Sequence, residues 1–196
     1  MARPKSYDRD NAIEKACTAF WEHGYQALGV RELERLTGLN QFAIRTAFGG
    51  KEGLYLEALA AYSDAAISSA MAPMKVGGVA AIVQFLEGLV TKGSATSSAF
   101  GCLIVNTGIE NARVQSPALA QAVEAYWSAL EVHFQQALEN EAAAQTNGSN
   151  FSPSDLAKAL VPAVMGVHAQ NRLNKDQTAG RPLVDFVVAT LQGLTR

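Results

Sequence analysis

The stretch from residue 29 to residue 54 constrains the fold more than any other part of this 196-residue chain. It reads GVRELERLTGLNQFAIRTAFGGKEGL, which predicts two short helices that are joined by a tight turn and followed by a third helix. Gly38 suits the left-handed backbone position after the first helix, and Asn40 is a preferred cap for the start of the second. The stretch therefore predicts a helix-turn-helix, whose second helix is a common probe of the DNA major groove.

Apolar residues at helical spacing, separated by turn-forming residues, recur along the rest of the chain. They predict helices over about residues 8–23, 30–36, 41–48, 51–71, 79–92, 102–111, 117–143, 153–173 and 182–194. No stretch has the period-two alternation of a strand, so we predict an all-α protein of about nine helices. We expect a helix-turn-helix DNA-binding domain over residues 1–50 and a helical ligand-binding and dimerisation domain over residues 51–196, linked by the helix over 51–71.

Charge is distributed unevenly along the chain. Residues 1–51 carry eight basic and six acidic side chains, whereas residues 52–196 carry eight basic and twelve acidic ones. A net positive N-terminal region followed by a net negative remainder suits a protein whose N-terminal part faces DNA and whose remainder does not. The hydrophobic share of 48% and the charged share of 17% indicate apolar surface that a second subunit covers. The chain begins with no leader-like pattern and has no membrane-length apolar run, so we expect a cytoplasmic protein.

The second helix of the helix-turn-helix should turn Ile44 and Phe48 inward, because they lie four residues apart. Its other side chains then point outward, where arginine can hold guanine and glutamine can hold adenine. The starts of the flanking helices can bind phosphate through free backbone N–H groups. A solvated face is the alternative, but the run of turn, cap, short helix and Gly-Gly-Lys-Glu favours DNA contact. The residues predicted to contact DNA are Gly29, Arg31, Asn40, Gln41, Phe42, Arg45, Thr46 and Lys51.

Three segments of the chain resemble the DNA-binding domain of the tetracycline-repressor (TetR/AcrR) family. They are ACTAFWEHG at residues 16–24, VRELERLTGL at residues 30–39 and FGGKEGLY at residues 48–55. The resemblance covers about residues 8–60 and implies an all-α homodimer with a variable helical ligand-binding domain behind a three-helix DNA-binding domain. The segment GCLIVN at residues 101–106 resembles one subgroup of the family.

The chain departs from the family pattern at three places. Gly29 stands where the family usually has threonine or serine, and Gly50 stands where serine or asparagine is common. Residues 45–47 read Arg-Thr-Ala in place of the usual aromatic residue followed by histidine or asparagine. The resemblance therefore does not carry over the hydroxyl–phosphate contacts at positions 29 and 50 or the tyrosine contact at position 45.

The last two predicted helices are apolar on nearly all sides. A surface helix needs only one apolar stripe, so the second face predicts a partner, although central burial in one subunit is the alternative. A two-fold dimer would place its recognition helices roughly 35 Å apart and predicts a pseudo-palindromic operator. The predicted interface residues are Leu160, Val164, Val167, Leu183, Phe186, Val187 and Leu191.

Aromatic and polar residues of the C-terminal part predict a small-molecule pocket. Pro162 should bend the penultimate helix and open space beside it. No charge dominates the candidates, which indicates a neutral or weakly polar, partly aromatic effector. Plain core packing is the alternative for each of them. The predicted lining residues are Phe85, Leu89, Phe100, Asn106, Tyr126, Leu130 and His168.

Cys102 admits two interpretations. It is either a small buried hydrophobe or a helix-terminal thiolate that senses oxidants or electrophiles. The three histidines show no metal-ligand spacing with cysteine or carboxylates, so we predict no metal site.

These observations favour a ligand-responsive, DNA-binding transcriptional regulator that acts as a repressor. Its partners would be a double-stranded operator, a small-molecule effector and a second copy of the chain. A thiol-based redox or electrophile sensor on the same scaffold, using Cys102, is the alternative. A helical enzyme is a weaker one, because the sequence offers no nucleophile–base set or phosphate loop; we predict no enzyme and no cofactor.

Overall fold

The computed structural model describes residues 7–144 and 151–194. These residues form nine α-helices and no strand, which confirms the predicted all-α fold. The helices are α1 (Arg9–His23), α2 (Val30–Thr37), α3 (Gln41–Phe48), α4 (Lys51–Ala65), α5 (Val79–Gly88), α6 (Leu103–Val114), α7 (Pro117–Ala144), α8 (Pro153–Asn174) and α9 (Arg181–Leu194).

Two helices end earlier than the sequence pattern predicts. The helix expected to reach residue 71 is α-helical only to Ala65, and continues as a π-helical turn over Ala66–Ala70 and a 3₁₀ turn over Ala72–Lys75. The helix expected to reach residue 92 ends at Gly88, where the chain tightens so that the Leu89 N–H donates to the Leu86 carbonyl. Apolar periodicity continues through both turns, which is why it does not reveal them.

Helices α1, α2 and α3 form an N-terminal unit around a shared core. Gly38 ends α2 with φ of 77°, a left-handed conformation that glycine adopts without strain. The Asn40 side chain then caps α3 by accepting the Ala43 N–H at 2.7 Å. Phe20, Leu33, Leu39, Ile44 and Phe48 are buried together in the core. The predicted helix-turn-helix is therefore present, with the predicted turn and cap residues.

Helix α4 connects the N-terminal unit to the C-terminal helices, because it packs against α1 and α3 on one side and α6 and α7 on the other. Two polar contacts fix it in place. The hydroxyls of Tyr55 and Thr107 lie 2.6 Å apart, and Ser116 Oγ donates to Glu52 Oε1 at 3.0 Å. Helices α7 and α8 pack along each other and form the centre of the C-terminal bundle.

A second connection, which we call the α1 junction, joins α1 to the C-terminal helices through Trp21, Phe100, Gly101 and Arg172. The Trp21 indole N–H donates to the Gly101 carbonyl at 3.1 Å. The Arg172 guanidinium donates to the carbonyls of Trp21 and Phe100 at 3.1 and 3.0 Å. Gly101 has φ of +70°, and a Cβ there would lie 2.6 Å from the His168 carbonyl oxygen. The backbone at residue 101 can approach α8 this closely only because it lacks a side chain.

Candidate nucleic-acid interface and ligand cavity

Helix α3 turns four side chains to solvent, Gln41, Phe42, Arg45 and Thr46, which we call the recognition face. The Phe42 ring is 75% exposed, an unusual position for a large apolar group. Ile44 and Phe48 are buried on the opposite side, as the spacing predicts. An exposed aromatic ring beside an arginine and two smaller polar groups offers both apolar contact with a thymine methyl and hydrogen bonds to base edges.

The polar groups of the recognition face differ in how firmly they are held. Gln41 is fixed by Glu34, whose carboxylate accepts the Gln41 backbone N–H at 2.8 Å and its side-chain amide at 3.0 Å. The Thr46 hydroxyl donates back to the Phe42 carbonyl at 2.7 Å. The Arg45 guanidinium makes no hydrogen bond or ion pair within the described residues. Arg45 therefore keeps its full donor set for another molecule.

The starts of α2 and α4 flank the recognition face. Gly29 and Arg31 are exposed, and no side chain caps the first turn of α2, so its backbone N–H groups are open to a phosphate. Helix α4 likewise begins without a side-chain cap. The Lys51 ammonium lies 4.5 Å from the centre of the Tyr25 ring, and burial lowers the pKa of Lys51. Lys51 thus differs from a freely solvated lysine.

Comparison with known proteins assigns the domain that carries this face. Residues 12–58 match the family described as bacterial regulatory proteins, tetR family. These residues therefore form a domain of the TetR family. Over 62 residues the chain is 42% identical to the HTH-type transcriptional repressor ComR of Escherichia coli K12, a match that spans 32% of this chain and 30% of that repressor. The proteins of this family that the chain resembles are transcriptional regulators and not enzymes.

A weaker likeness to transcriptional regulators extends over the whole chain. An uncharacterised HTH-type transcriptional regulator of Bacillus subtilis, YezE, is 26% identical over 194 residues, which cover 97% of this chain and 100% of that one. A mutant of the TetR-family regulator CifR, solved with a 26-base-pair operator, superposes with a TM-score of 0.77 at 21% identity, covering 98% of this chain and 100% of that one. The C-terminal helices therefore share the fold of TetR-family regulators.

A cavity of about 490 Å³, which we call the junction cavity, lies between α1 and the C-terminal helices. It contains four of the residues predicted to bind a ligand, Phe85, Leu89, Tyr126 and His168. The full lining is Asp10, Ile13, Glu14, Cys17, Thr18, Trp21, Ala61, Tyr62, Ala65, Ala66, Ser69, Phe85, Leu89, Ala95, Thr96, Tyr126 and His168.

Three residues predicted to line the pocket lie elsewhere. The Asn106 amide is turned away, because it donates to the Phe100 carbonyl at 3.0 Å. Leu130 is fully buried in packing with its neighbours, and the Phe100 ring faces solvent next to the α1 junction. Their apolar, aromatic or polar character suggested a lining role, but each is used in packing, in a local hydrogen bond or at the surface.

The wall that sequence analysis missed is α1. Ile13, Cys17 and Trp21 are spaced four residues apart and form a stripe that faces the cavity. A separate stripe of Ala12, Ala16 and Phe20 packs into the N-terminal unit. The presence of two apolar stripes on one helix was a usable signal, since a helix with one partner needs only one.

His168 lines the junction cavity and carries an unpaired polar atom. It is almost wholly buried, and its Nδ1 has no hydrogen-bond partner among the described residues. Burial lowers the pKa of His168 to about 4, so the ring is neutral near neutral pH. A buried ring nitrogen without a partner is costly unless something hydrogen-bonds it. A neutral imidazole has one donor and one acceptor nitrogen, so it can meet a ligand group of either kind.

Cys102 is fully buried at the start of α6, and its Sγ accepts the Tyr62 hydroxyl at 3.4 Å. Burial raises the pKa of Cys102 above that of a free thiol, and it outweighs the lowering effects of the Tyr62 hydroxyl and of the backbone N–H groups at the helix start. The geometry therefore favours the packing interpretation over the thiolate. Cys17, which borders the cavity, is half-buried, and burial raises its pKa to about 11.

The predicted dimer residues divide into two groups. Val164 and Val167 are each only 1% exposed and lie outside the apolar groove between α8 and α9, which corrects their assignment to the interface. The other five predicted residues, Leu160, Leu183, Phe186, Val187 and Leu191, border an apolar groove of about 250 Å³ between α8 and α9. Phe186 is 70% exposed at its edge.

Residues 7–144 and 151–194 lack two further features. No helix in these ranges is long and apolar enough to cross a membrane. No cluster of three or more histidine, cysteine, aspartate or glutamate side chains there could hold a metal ion.

Proposed function

We propose that this chain is a homodimeric repressor that leaves a pseudo-palindromic operator when a small molecule occupies the junction cavity. We place its DNA-binding domain at residues 1–50, its effector and dimer domain at residues 51–196, and the protein in the cytoplasm, where operator DNA lies. The observation that carries the proposal is the recognition face, exposed on the helix that a TetR-family helix-turn-helix presents to DNA.

DNA binding is tested by selecting sequences from random double-stranded DNA and measuring affinity by fluorescence anisotropy at several salt concentrations. We expect a selected site with two-fold symmetry and a log–log salt dependence that indicates phosphate contacts. Arg45→Ala should weaken binding by about 1–3 kcal/mol, because an arginine can pair bidentately with guanine. Arg113→Ala, an exposed arginine at the end of α6, is the matched control. Unselective binding with no effect of Arg45 would contradict the proposal.

The dimer proposal depends on the groove between α8 and α9, together with the exposed Phe186 at its edge. A second copy would cover this apolar surface and bring two recognition faces onto one operator. Phe186→Glu should make the protein monomeric, which light scattering measures. The monomers should bind operator half-sites only weakly. Val132→Glu, a change at a similarly exposed apolar residue on α7, should leave the dimer intact. A dimer that tolerates Phe186→Glu and fails with Val132→Glu would place the interface elsewhere.

Thiol sensing through Cys102 is the weaker candidate, because the sulfur is buried and burial raises its pKa. If oxidants nevertheless released the protein from its operator and Cys102→Ser abolished that release, the thiol function would replace the effector function. We expect oxidant and Cys102→Ser to leave operator affinity unchanged.

A further inference from the structure

The junction cavity favours ligands of one charge. Its lining contains two carboxylates, Asp10 and Glu14, both exposed on α1, and contains no lysine or arginine among the described residues. Neither carboxylate is engaged in an ion pair with a described side chain. An anionic ligand would meet two like charges and no cationic side chain in the described lining, whereas a cation would be attracted to the carboxylates.

The walls of the cavity favour a flat aromatic body. Trp21 and Tyr62 meet edge to face with ring centres 5.3 Å apart, and Tyr126 lies 6.4 Å from Tyr62. These three rings present π faces and edges to an occupant and can also attract a cation through their electron-rich faces. The buried His168, whose Nδ1 has no partner among the described residues, adds a hydrogen-bonding side chain to the lining on the α8 side.

The residues around the cavity also hold the α1 junction together. Trp21 lines the cavity and donates its indole N–H to Gly101, while the His168 carbonyl is the atom that Gly101 approaches on α8. Arg172 ties the Trp21 carbonyl to the Phe100 carbonyl on the same side. An occupant that pushes the Trp21 ring therefore acts on the contacts that position α1, and α1 shares its buried core with α2 and α3.

We propose that the junction cavity binds a cationic aromatic ammonium compound, which meets His168 and the carboxylates of α1 and displaces α1 from Gly101. The proposal rests on the proposed effector-responsive function and adds the ligand's chemical class and its point of action. The ligand acts on the DNA-binding unit directly through α1, because one wall of its site is a helix of that unit. Operator affinity falls to the extent that the ligand binds the conformation with α1 displaced more tightly than the conformation with α1 in contact with Gly101.

The ligand class is tested by calorimetry with three probes of one shape: naphthylmethylammonium, naphthylmethanol and naphthoate. We expect the ammonium probe to bind at least about tenfold tighter than naphthoate, with the alcohol between them. Asp10→Asn combined with Glu14→Gln should reduce this difference to less than about threefold. Glu22→Gln, a neighbouring acidic residue on α1 outside the cavity, is the matched control. Naphthoate binding as tightly as the ammonium probe would overturn the assignment.

The site itself is tested with a pair of buried histidines. His168→Leu should weaken binding of the ammonium probe about fivefold, because it replaces a buried hydrogen-bonding side chain with an apolar one of similar volume. His133→Leu removes another buried histidine with an unpaired nitrogen, but that residue lies outside the cavity lining, and probe affinity should not change. Equal effects of the two variants, or none from His168→Leu, would show that the probe binds elsewhere.

The action on α1 is tested with the selected operator. Saturating naphthylmethylammonium should weaken operator binding about tenfold in the wild type. Trp21→Phe, which keeps a ring but loses the bond to Gly101, should reduce that response, whereas Trp127→Phe should preserve it. A probe that binds by calorimetry and leaves operator affinity unchanged would overturn the coupling. A protein that binds no operator without any probe would instead refute the proposed function, and calorimetry would still judge the cavity.

Discussion

Helices α1 and α3 belong to the same three-helix unit but face different partners. Helix α3 exposes Phe42 and Arg45 to solvent, whereas α1 directs Trp21 into a cavity and a hydrogen bond with Gly101, 80 residues away in the sequence. The surface of α3 is defined by local spacing within the helix-turn-helix. The surface of α1 is defined by parts of the chain that only the fold brings near. One unit thus contains a face that local sequence specifies and a face that it does not.

The largest expected effect separates the two sides of α3. Ile44→Ala should lower the free energy of unfolding by about 2–5 kcal/mol, because it leaves a cavity in the core of the unit. Phe42→Ala should change it by less than about 0.5 kcal/mol, because the ring is mostly solvent-exposed. Urea denaturation measures both. Similar losses for the two variants would mean that Phe42 is packed rather than free to meet DNA.

The next effect tests how tightly the α1 junction is built. Gly101→Ala should lower the free energy of unfolding by about 2–4 kcal/mol for two reasons. Alanine is strained in the left-handed backbone conformation of residue 101, and its Cβ would overlap the His168 carbonyl. Gly108→Ala is the matched control on α6, where a Cβ would lie an ordinary 3.6 Å from Val123. That change should stabilise the protein by up to about 1 kcal/mol. If Gly101→Ala were as harmless as its control, the junction would be loosely packed.

The pH dependence of stability tests the burial of His168. Its pKa of about 4 in the folded state lies below the value of about 6.5 expected for the unfolded chain, so the unfolded state binds more protons between these values. Stability is therefore fully present above about pH 6.5 and falls with decreasing pH, by about 2 kcal/mol at pH 5. His168→Leu should remove this component, and His23→Gln, at an exposed position, should not. If the stabilities of wild type and His168→Leu depended on pH in the same way, His168 would not be the source of this pH dependence.

The smallest effect concerns the start of α3. Asn40→Ala should lower the free energy of unfolding by about 1 kcal/mol, because the Ala43 N–H loses its acceptor. Asn40→Gly should lose only a few tenths of a kcal/mol, since glycine is tolerated at this position. Thermal denaturation of the two variants checks the order. The reverse order would mean that the Asn40 side chain does not cap the helix.

The sequence predicts the fold and the recognition face well because both depend on short-range patterns. Gly38, Asn40 and the inward pair of Ile44 and Phe48 all act within one or two helical turns. The sequence predicts part of the cavity lining on the C-terminal helices but not the lining on α1. The α1 lining depends on which of two apolar stripes meets the C-terminal helices. Cys102 shows a second limit: its position at a helix start is visible in sequence, but its burial, which decides its pKa, is not.

The contact between Glu34 and Gln41 has a consequence for how the operator is recognised. Gln41 is already ordered in the free protein by two hydrogen bonds from its backbone and side chain, whereas Arg45 must surrender its rotational freedom when it binds. Immobilising such a side chain costs roughly 0.5–1.5 kcal/mol. The Gln41 side chain is thus preorganised and can pair with few base arrangements, whereas the Arg45 side chain can adapt to several. Operator positions opposite Gln41 should tolerate less sequence variation than those within reach of Arg45.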